Sequence, residues 1–193
     1  AARKEVYAAD GYGNRRVIVF DSETGAYKRM WGAFGAAPPS TPPGPPPPAM
    51  RPAGIEDQTG RGSIEFRSVH GVEVSNDGLV YVSDRDNQRV QVFDRQGRYK
   101  TQVFIHRNAP SRQTASGLAL SPDKAQRWLY VVDFGNCQIS VLDRKTLKEA
   151  ASFGACGKAP GQFIGPHLMA MDSTGVLYVA EVQGRRLQRL TPN

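Results

Sequence analysis

His70 and His167 are two of only three histidines in the 193-residue chain, and they stand 97 positions apart (167 − 70) at one point of an internal repeat. Ser116 holds the same point in the repeat between them. If the repeat closes into a ring, residues of one phase stand around one axis, and imidazoles that meet there suit a metal ion. An equal alternative is that each histidine caps its strand or hydrogen-bonds across a channel. His106 falls off this phase, beyond the outermost strand of its unit, and reads as a surface side chain.

Four stretches define the repeat: Val6-Tyr7-Ala8-Ala9-Asp10, Val80-Tyr81-Val82-Ser83-Asp84, Leu129-Tyr130-Val131-Val132-Asp133 and Leu177-Tyr178-Val179-Ala180-Glu181. Each runs apolar, Tyr, apolar, small, acid. A second landmark follows at Phe20-Asp21, Phe93-Asp94, Leu142-Asp143 and Leu190, after a turn rich in Gly, Asn and Arg. The acids at 84, 133 and 181 are 49 and 48 positions apart (133 − 84 and 181 − 133), a period that short alternating strands give in propeller blades.

Alternation and turn residues place the strands. The second unit is expected to carry Val69–Ser75, Leu79–Ser83, Arg89–Asp94 and Tyr99–Ile105, with a hairpin at Asn76-Asp77-Gly78. The third is expected to carry Gly117–Ser121, Trp128–Asp133, Gln138–Asp143 and Glu149–Phe153. No stretch holds a helical period. The expected class is all-β, a β-propeller of four-stranded antiparallel blades, with about four incomplete blades of a six-bladed ring. Blade segments fall at 1–37, 63–109, 110–160 and 161–193, and a Pro-rich insertion at 38–62. The first unit lacks an innermost strand and the last an outermost one, so the chain reads as the C-terminal part of a longer protein.

The insertion holds nine of the 14 prolines within Pro38–Pro52, a composition that favours polyproline II and excludes ladder pairing. It reads as a surface insertion, with docking of a proline-recognising protein partner as the alternative. The net charge of +7 and pI near 9.6 raise nucleic-acid binding. Its distribution argues against that, because Arg15, Arg16, Arg89, Arg185 and Arg186 alternate with acids and no basic run interleaves with aromatics. A solvated rim of arginine is expected instead. No apolar run of about 18 residues is present, so no helical membrane span is expected. Cys137 and Cys156 have no metal-ligand spacing, and whether they pair stays open.

The stretch Tyr81-Val82-Ser83-Asp84-Arg85-Asp86-Asn87-Gln88-Arg89-Val90-Gln91-Val92-Phe93, and Ser152-Phe153-Gly154 through Gly161-Gln162-Phe163, resemble NHL repeats. Asp10-Gly11-Tyr12-Gly13-Asn14-Arg15-Arg16-Val17, Val69-His70, Asp84-Arg85 and Pro166-His167 further resemble, in order and spacing, the second half of the peptidyl-α-hydroxyglycine α-amidating lyase family. That family is a six-bladed propeller with a three-histidine zinc site on its axis, and it cleaves a peptidyl-α-hydroxyglycine to a peptide amide and glyoxylate. The resemblance implies zinc held by His70 and His167, Tyr12 as the base on the substrate hydroxyl, and Arg85 as a substrate contact. It also implies a peptide or small hydroxy-amide substrate and a secreted or periplasmic setting. The family's first histidine and a second essential arginine would fall before Ala1. Gly13 stands where animal lyases have a disulfide cysteine, and Gly165 replaces a methionine. Leu168 replaces the acid that binds structural calcium, so the resemblance does not extend to calcium.

Two functions follow as expectations: a zinc-dependent, carbon–nitrogen lyase-like propeller, or a non-catalytic NHL propeller that binds protein or peptide through its top face. For Tyr12 a good turn, and for Arg85 a rim charge, are the plainer roles.

Overall fold

The computed structural model describes residues 4–38, 60–107, 109, 111 and 113–191. Most of the Pro-rich insertion, and with it the docking expectation, lies outside these residues. Four antiparallel sheets follow one another along the chain. The first has β1 (Glu5–Asp10), β2 (Arg16–Asp21) and β3 (Tyr27–Trp31); the second has β4 (Val69–Val74), β5 (Leu79–Asp84), β6 (Arg89–Asp94) and β7 (Tyr99–Phe104). The third has β8 (Leu118–Leu120), β9 (Trp128–Asp133), β10 (Gln138–Asp143) and β11 (Glu149–Phe153); the fourth has β12 (Pro166–Met171), β13 (Leu177–Glu181) and β14 (Arg186–Leu190). The protein is all-β, and its sheets are propeller blades. The expected strands of the two middle blades appear with ends shifted by a residue. At the first hairpin of blade two Gly78 takes φ 87, where glycine is unhindered, and donates its N–H to Ser75 O at 2.9 Å.

Alternation assigns the two faces of each blade to different neighbours. Val80 and Val82 of β5 pack with Val17, Val19 and Trp31 of blade one, whereas Tyr81 packs with Leu118, Leu129 and Val131 of blade three. In the same way Val131 faces blade two and Val132 joins Leu177 and Val179 of blade four. Three apolar layers thus alternate with four sheets, and each blade is stable only with its neighbour in place.

The repeat acids tie these layers together. Asp84 accepts the N–H groups of Arg67 and Ser68 at 2.9 and 3.1 Å, Asn87 Nδ2 at 2.7 Å and Arg89 Nε at 2.9 Å. Arg89 then donates from Nη1 to Ser63 O at 2.8 Å and from Nη2 to Glu65 O at 3.0 Å. Glu181 and Arg186 repeat the device: Glu181 accepts from Ile164 N–H and Arg186 Nε, both at 2.6 Å, and Arg186 Nη2 donates to Gln162 O at 2.7 Å. The expected solvated arginine rim is therefore corrected at Arg89, which is 0% exposed, and at Arg186. Each guanidinium clips the segment that leads into its own blade by donating to that segment's carbonyls.

Blade three departs from the device, because Gln138 stands where blades two and four have Arg89 and Arg186. Its amide meets a side chain of the incoming segment and makes no hydrogen bond to that segment's carbonyls among the described residues. That segment instead sends His106, whose Nδ1 lies 2.5 Å from Asp133 Oδ2 and 3.3 Å from Gln138 Nε2. The expectation of a surface side chain at His106 is corrected accordingly. Cys137 and Cys156, left open by the sequence, are joined in a disulfide with Cα atoms 4.9 Å apart, which ties the β9–β10 turn to the segment between blades three and four. Among the described residues no helix is long and apolar enough to cross a membrane.

Candidate functional site

His70 and His167 both sit on β-bulges. Val69 pairs with Asp84 and Gly71 with Ser83, so His70 has no cross-strand partner; Pro166 pairs with Glu181 and Leu168 with Ala180, so His167 has none either. A bulged residue is freed from the alternation of faces and its side chain is re-aimed. Repeating the bulge at the start of two innermost strands turns both imidazoles off their sheets. Their ring centroids lie 4.4 Å apart, edge to face at 81°.

Close backbone approach makes this meeting feasible. A Cβ on Gly11 would lie 1.9 Å from Val69 O, so only glycine lets the blade-one turn rest on the strand start that carries His70. A Cβ on Gly117 would lie 3.0 Å from Leu168 Cα and 3.2 Å from His167 O, so the start of β8 lies directly against that of β12. Tyr12, adjacent to Gly11, meets His70 edge-on at 5.9 Å. Arg85 donates from Nη1 to the Tyr12 hydroxyl oxygen at 3.0 Å, and from Nε to Asp86 Oδ1 at 3.0 Å. Its Nη2 makes no hydrogen bond among the described residues, and the side chain is buried rather than a rim charge. All four sequence-selected residues, Tyr12, His70, Arg85 and His167, thus converge from three blades on one cluster.

The electrostatics of the cluster are set by burial and by Arg85. Burial first, then the Arg85 cation and His167, push His70 down to about 4. Burial and then Arg85 also lower His167. Both imidazoles are neutral at neutral pH. His70 Nδ1 lies 3.3 Å from Ser116 O, which also accepts Ser83 Oγ at 2.6 Å. A carbonyl only accepts, so the His70 proton resides on Nδ1 and the lone pair on Nε2. Ser116 therefore serves the shared phase through its backbone.

Two neutral imidazoles, one with its second nitrogen anchored to a carbonyl, are a donor pair that suits zinc. A ring centre lies roughly 3 Å from a metal held through nitrogen, which puts two ligands at a tetrahedral angle about 5 Å apart, near the separation seen. The pair fits two places of a three-histidine set. Among the described residues no group of three or more His, Cys, Asp or Glu stands where it could hold a metal ion.

Phe134 was not singled out in the sequence. It meets His167 edge-on at 5.9 Å, whereas Tyr12 meets His70. Its signal is positional: Gly11, Arg85, Phe134 and Val182 each follow a repeat acid, so they share a phase beside the histidines.

Comparison with known proteins narrows the architecture. Residues 66–93 match the NHL repeat family. The match takes in the first three strands of blade two, to within one residue. The chain is 28% identical over 145 residues to NHL repeat-containing protein 3 of Homo sapiens, and 28% identical over 144 residues to its Mus musculus counterpart. Each alignment covers 72% of this chain and 39% of the relative, so the chain spans about two fifths of the length of the curated relatives it matches. Virginiamycin B lyase from Staphylococcus aureus superposes with a TM-score of 0.58 at 16% identity, over 97% of this chain and 48% of that one. At that identity the likeness shows the propeller fold alone.

Proposed function

We propose that the NHL propeller holds a lyase-like axial site that cleaves the C–N bond of a peptidyl-α-hydroxyglycine-like substrate, with His70 and His167 as zinc ligands. The observation that carries this reading is the convergence of Tyr12, His70, Arg85 and His167 from three blades, with imidazoles 4.4 Å apart and the Arg85–Tyr12 bond at 3.0 Å. Bound zinc would supply Lewis acidity that lowers the pKa of a coordinated hydroxyl. A three-histidine set would need a third imidazole beside this pair, and the described residues place none there.

The chain's own groups take the remaining roles. Tyr12, in its phenolate form, accepts the substrate hydroxyl proton and returns it to the leaving amide nitrogen, and Arg85 holds the phenolate oxygen in place beside His70. The C–O bond becomes the carbonyl of glyoxylate, and the electron pair of the broken C–N bond leaves on the amide nitrogen, which takes up a proton. The unused Nη2 of Arg85 faces the substrate as a donor.

The test is glyoxylate release from an N-acylated peptidyl-α-hydroxyglycine by the full-length protein. Tyr12→Phe is expected to lower kcat by about 100-fold or more, the range for losing a general base. Release above the spontaneous rate in neither protein, or at equal rates in both, contradicts the reading. Binding without cleavage in both would favour the second reading, a non-catalytic top-face binder.

A further inference from the structure

The ring of residues around the histidine pair is chemically lopsided. Against His70 stands Tyr12, a phenol joined to the Arg85 guanidinium at 3.0 Å. Against His167 stands Phe134, with its ring 5.9 Å from that of His167 at 79°. Val182 occupies the same phase one blade further on and is 57% exposed. Its N–H donates to Gly165 O at 2.9 Å, which fixes it beside the turn two residues before His167.

Phe134 stands beside the histidine pair but outside the core layers. Phe66, Phe93 and Phe163 are each at most 1% exposed and belong to core layers, but Phe134 is only half-buried and belongs to none of the three. A large ring held off the core and left partly open to water forgoes burial, and it regains that burial when an apolar group covers it. Its turn is also rigid. Asn136 donates its N–H to Asp133 Oδ1 at 3.0 Å and its Nδ2 to Asp133 Oδ2 at 2.7 Å, and the Cys137–Cys156 disulfide holds the far end. A wall that selects a ligand must be held in this way.

We infer that Phe134, with Val182 at the same phase of the next blade, is a specificity-determining wall that receives an apolar side chain on the residue preceding the reacting end of the substrate. The inference rests on the lyase-like reading for the identity of that reacting end. Successive residues of an extended peptide are about 3.8 Å apart. With the terminal unit at the histidine pair and its polar end toward Arg85, the preceding side chain reaches a ring 5.9 Å from His167. The substrate class is therefore an amphipathic one: an anionic or hydroxylated terminus preceded by an aromatic or branched apolar residue.

The test uses binding by the full-length protein of N-acetyl-Phe-Gly and N-acetyl-Ser-Gly, which lack the reacting hydroxyl and cannot be cleaved. Titration calorimetry is expected to give about tenfold tighter binding of the Phe peptide, the discrimination an apolar pocket supplies. Phe134→Ala is expected to shrink that ratio to within about threefold, and Phe134→Leu to keep most of it. An unchanged ratio in Phe134→Ala, or no preference in the unaltered protein, overturns the inference. Glyoxylate release from N-acetyl-Phe-α-hydroxyglycine and N-acetyl-Ser-α-hydroxyglycine is measured in parallel. A binding preference without any release would refute the lyase reading and leave the Phe134 wall standing; release without preference would do the reverse.

Discussion

At the scale of single residues the site depends on what is small as much as on what reacts. Gly11 is the clearest case, because any side chain there meets the carbonyl of Val69, one residue before His70. Gly11→Ala is expected to force the Tyr12 turn off that strand and to cost roughly 1–3 kcal/mol, the range for overpacking a close contact. Denaturant melts would measure the cost, and the Arg85–Tyr12 bond would lengthen in the variant's structure. The shared phase of His70 and His167 was legible in the sequence because a repeat fixes position along each blade. What brings the rings to 4.4 Å was not legible, since a bulge inserts one residue without leaving a signature in residue type. Phe134 escaped for a related reason: an aromatic residue beside a strand reads as core, and only the structure shows that it lies outside every apolar layer.

At the scale of elements the clamp of acid and arginine decides how one blade follows another. The pattern of strands was readable to within a residue, because alternation and turn residues act locally. The clamp was not, since an arginine in a polar turn is ordinarily solvated, and burial of Arg89 follows from the carbonyls of Ser63 and Glu65 that it meets 26 and 24 residues back. His106 was misread on the same ground: its partner Asp133 lies in the next blade. The Asp84–Arg89 pair is fully buried, so removing one member leaves a charge without its counterion and frees two N–H groups. Asp84→Ala is expected to destabilise the protein by about 3–5 kcal/mol. A denaturant midpoint within error of the unaltered protein would contradict the clamp.

At the scale of the whole molecule, packing of blade on blade leaves one carboxyl poorly placed. Glu73 of β4 is partly buried and forms no hydrogen bond or ion pair among the described residues, and burial pushes its carboxyl up to about 7 from an ordinary 4.5. The folded protein therefore keeps this proton over a pH range in which the unfolded chain has lost it. Through Glu73 stability falls as pH rises from about 4.5 to about 7 and then levels off. The lowered His70 and His167 act in the opposite sense over part of that range, so the effect is read as the difference between the protein and a Glu73 variant. Glu73→Gln is expected to remove that fall, stabilising the protein on the order of 2 kcal/mol above pH 7 and hardly at all near pH 4. Thermal melts of the two proteins across this range measure the difference. Equal offsets at both ends would contradict it.

The three scales meet at the histidine pair, where bulges, glycine contacts and blade packing deliver two neutral imidazoles to one point. Zinc content of the full-length protein, measured beside a His70→Ala/His167→Ala variant that retains its far-UV circular dichroism, tests the pair most directly. The expected result is close to one zinc per unaltered chain and a large loss in the variant. Equal zinc in the two would contradict the assignment of His70 and His167 as ligands.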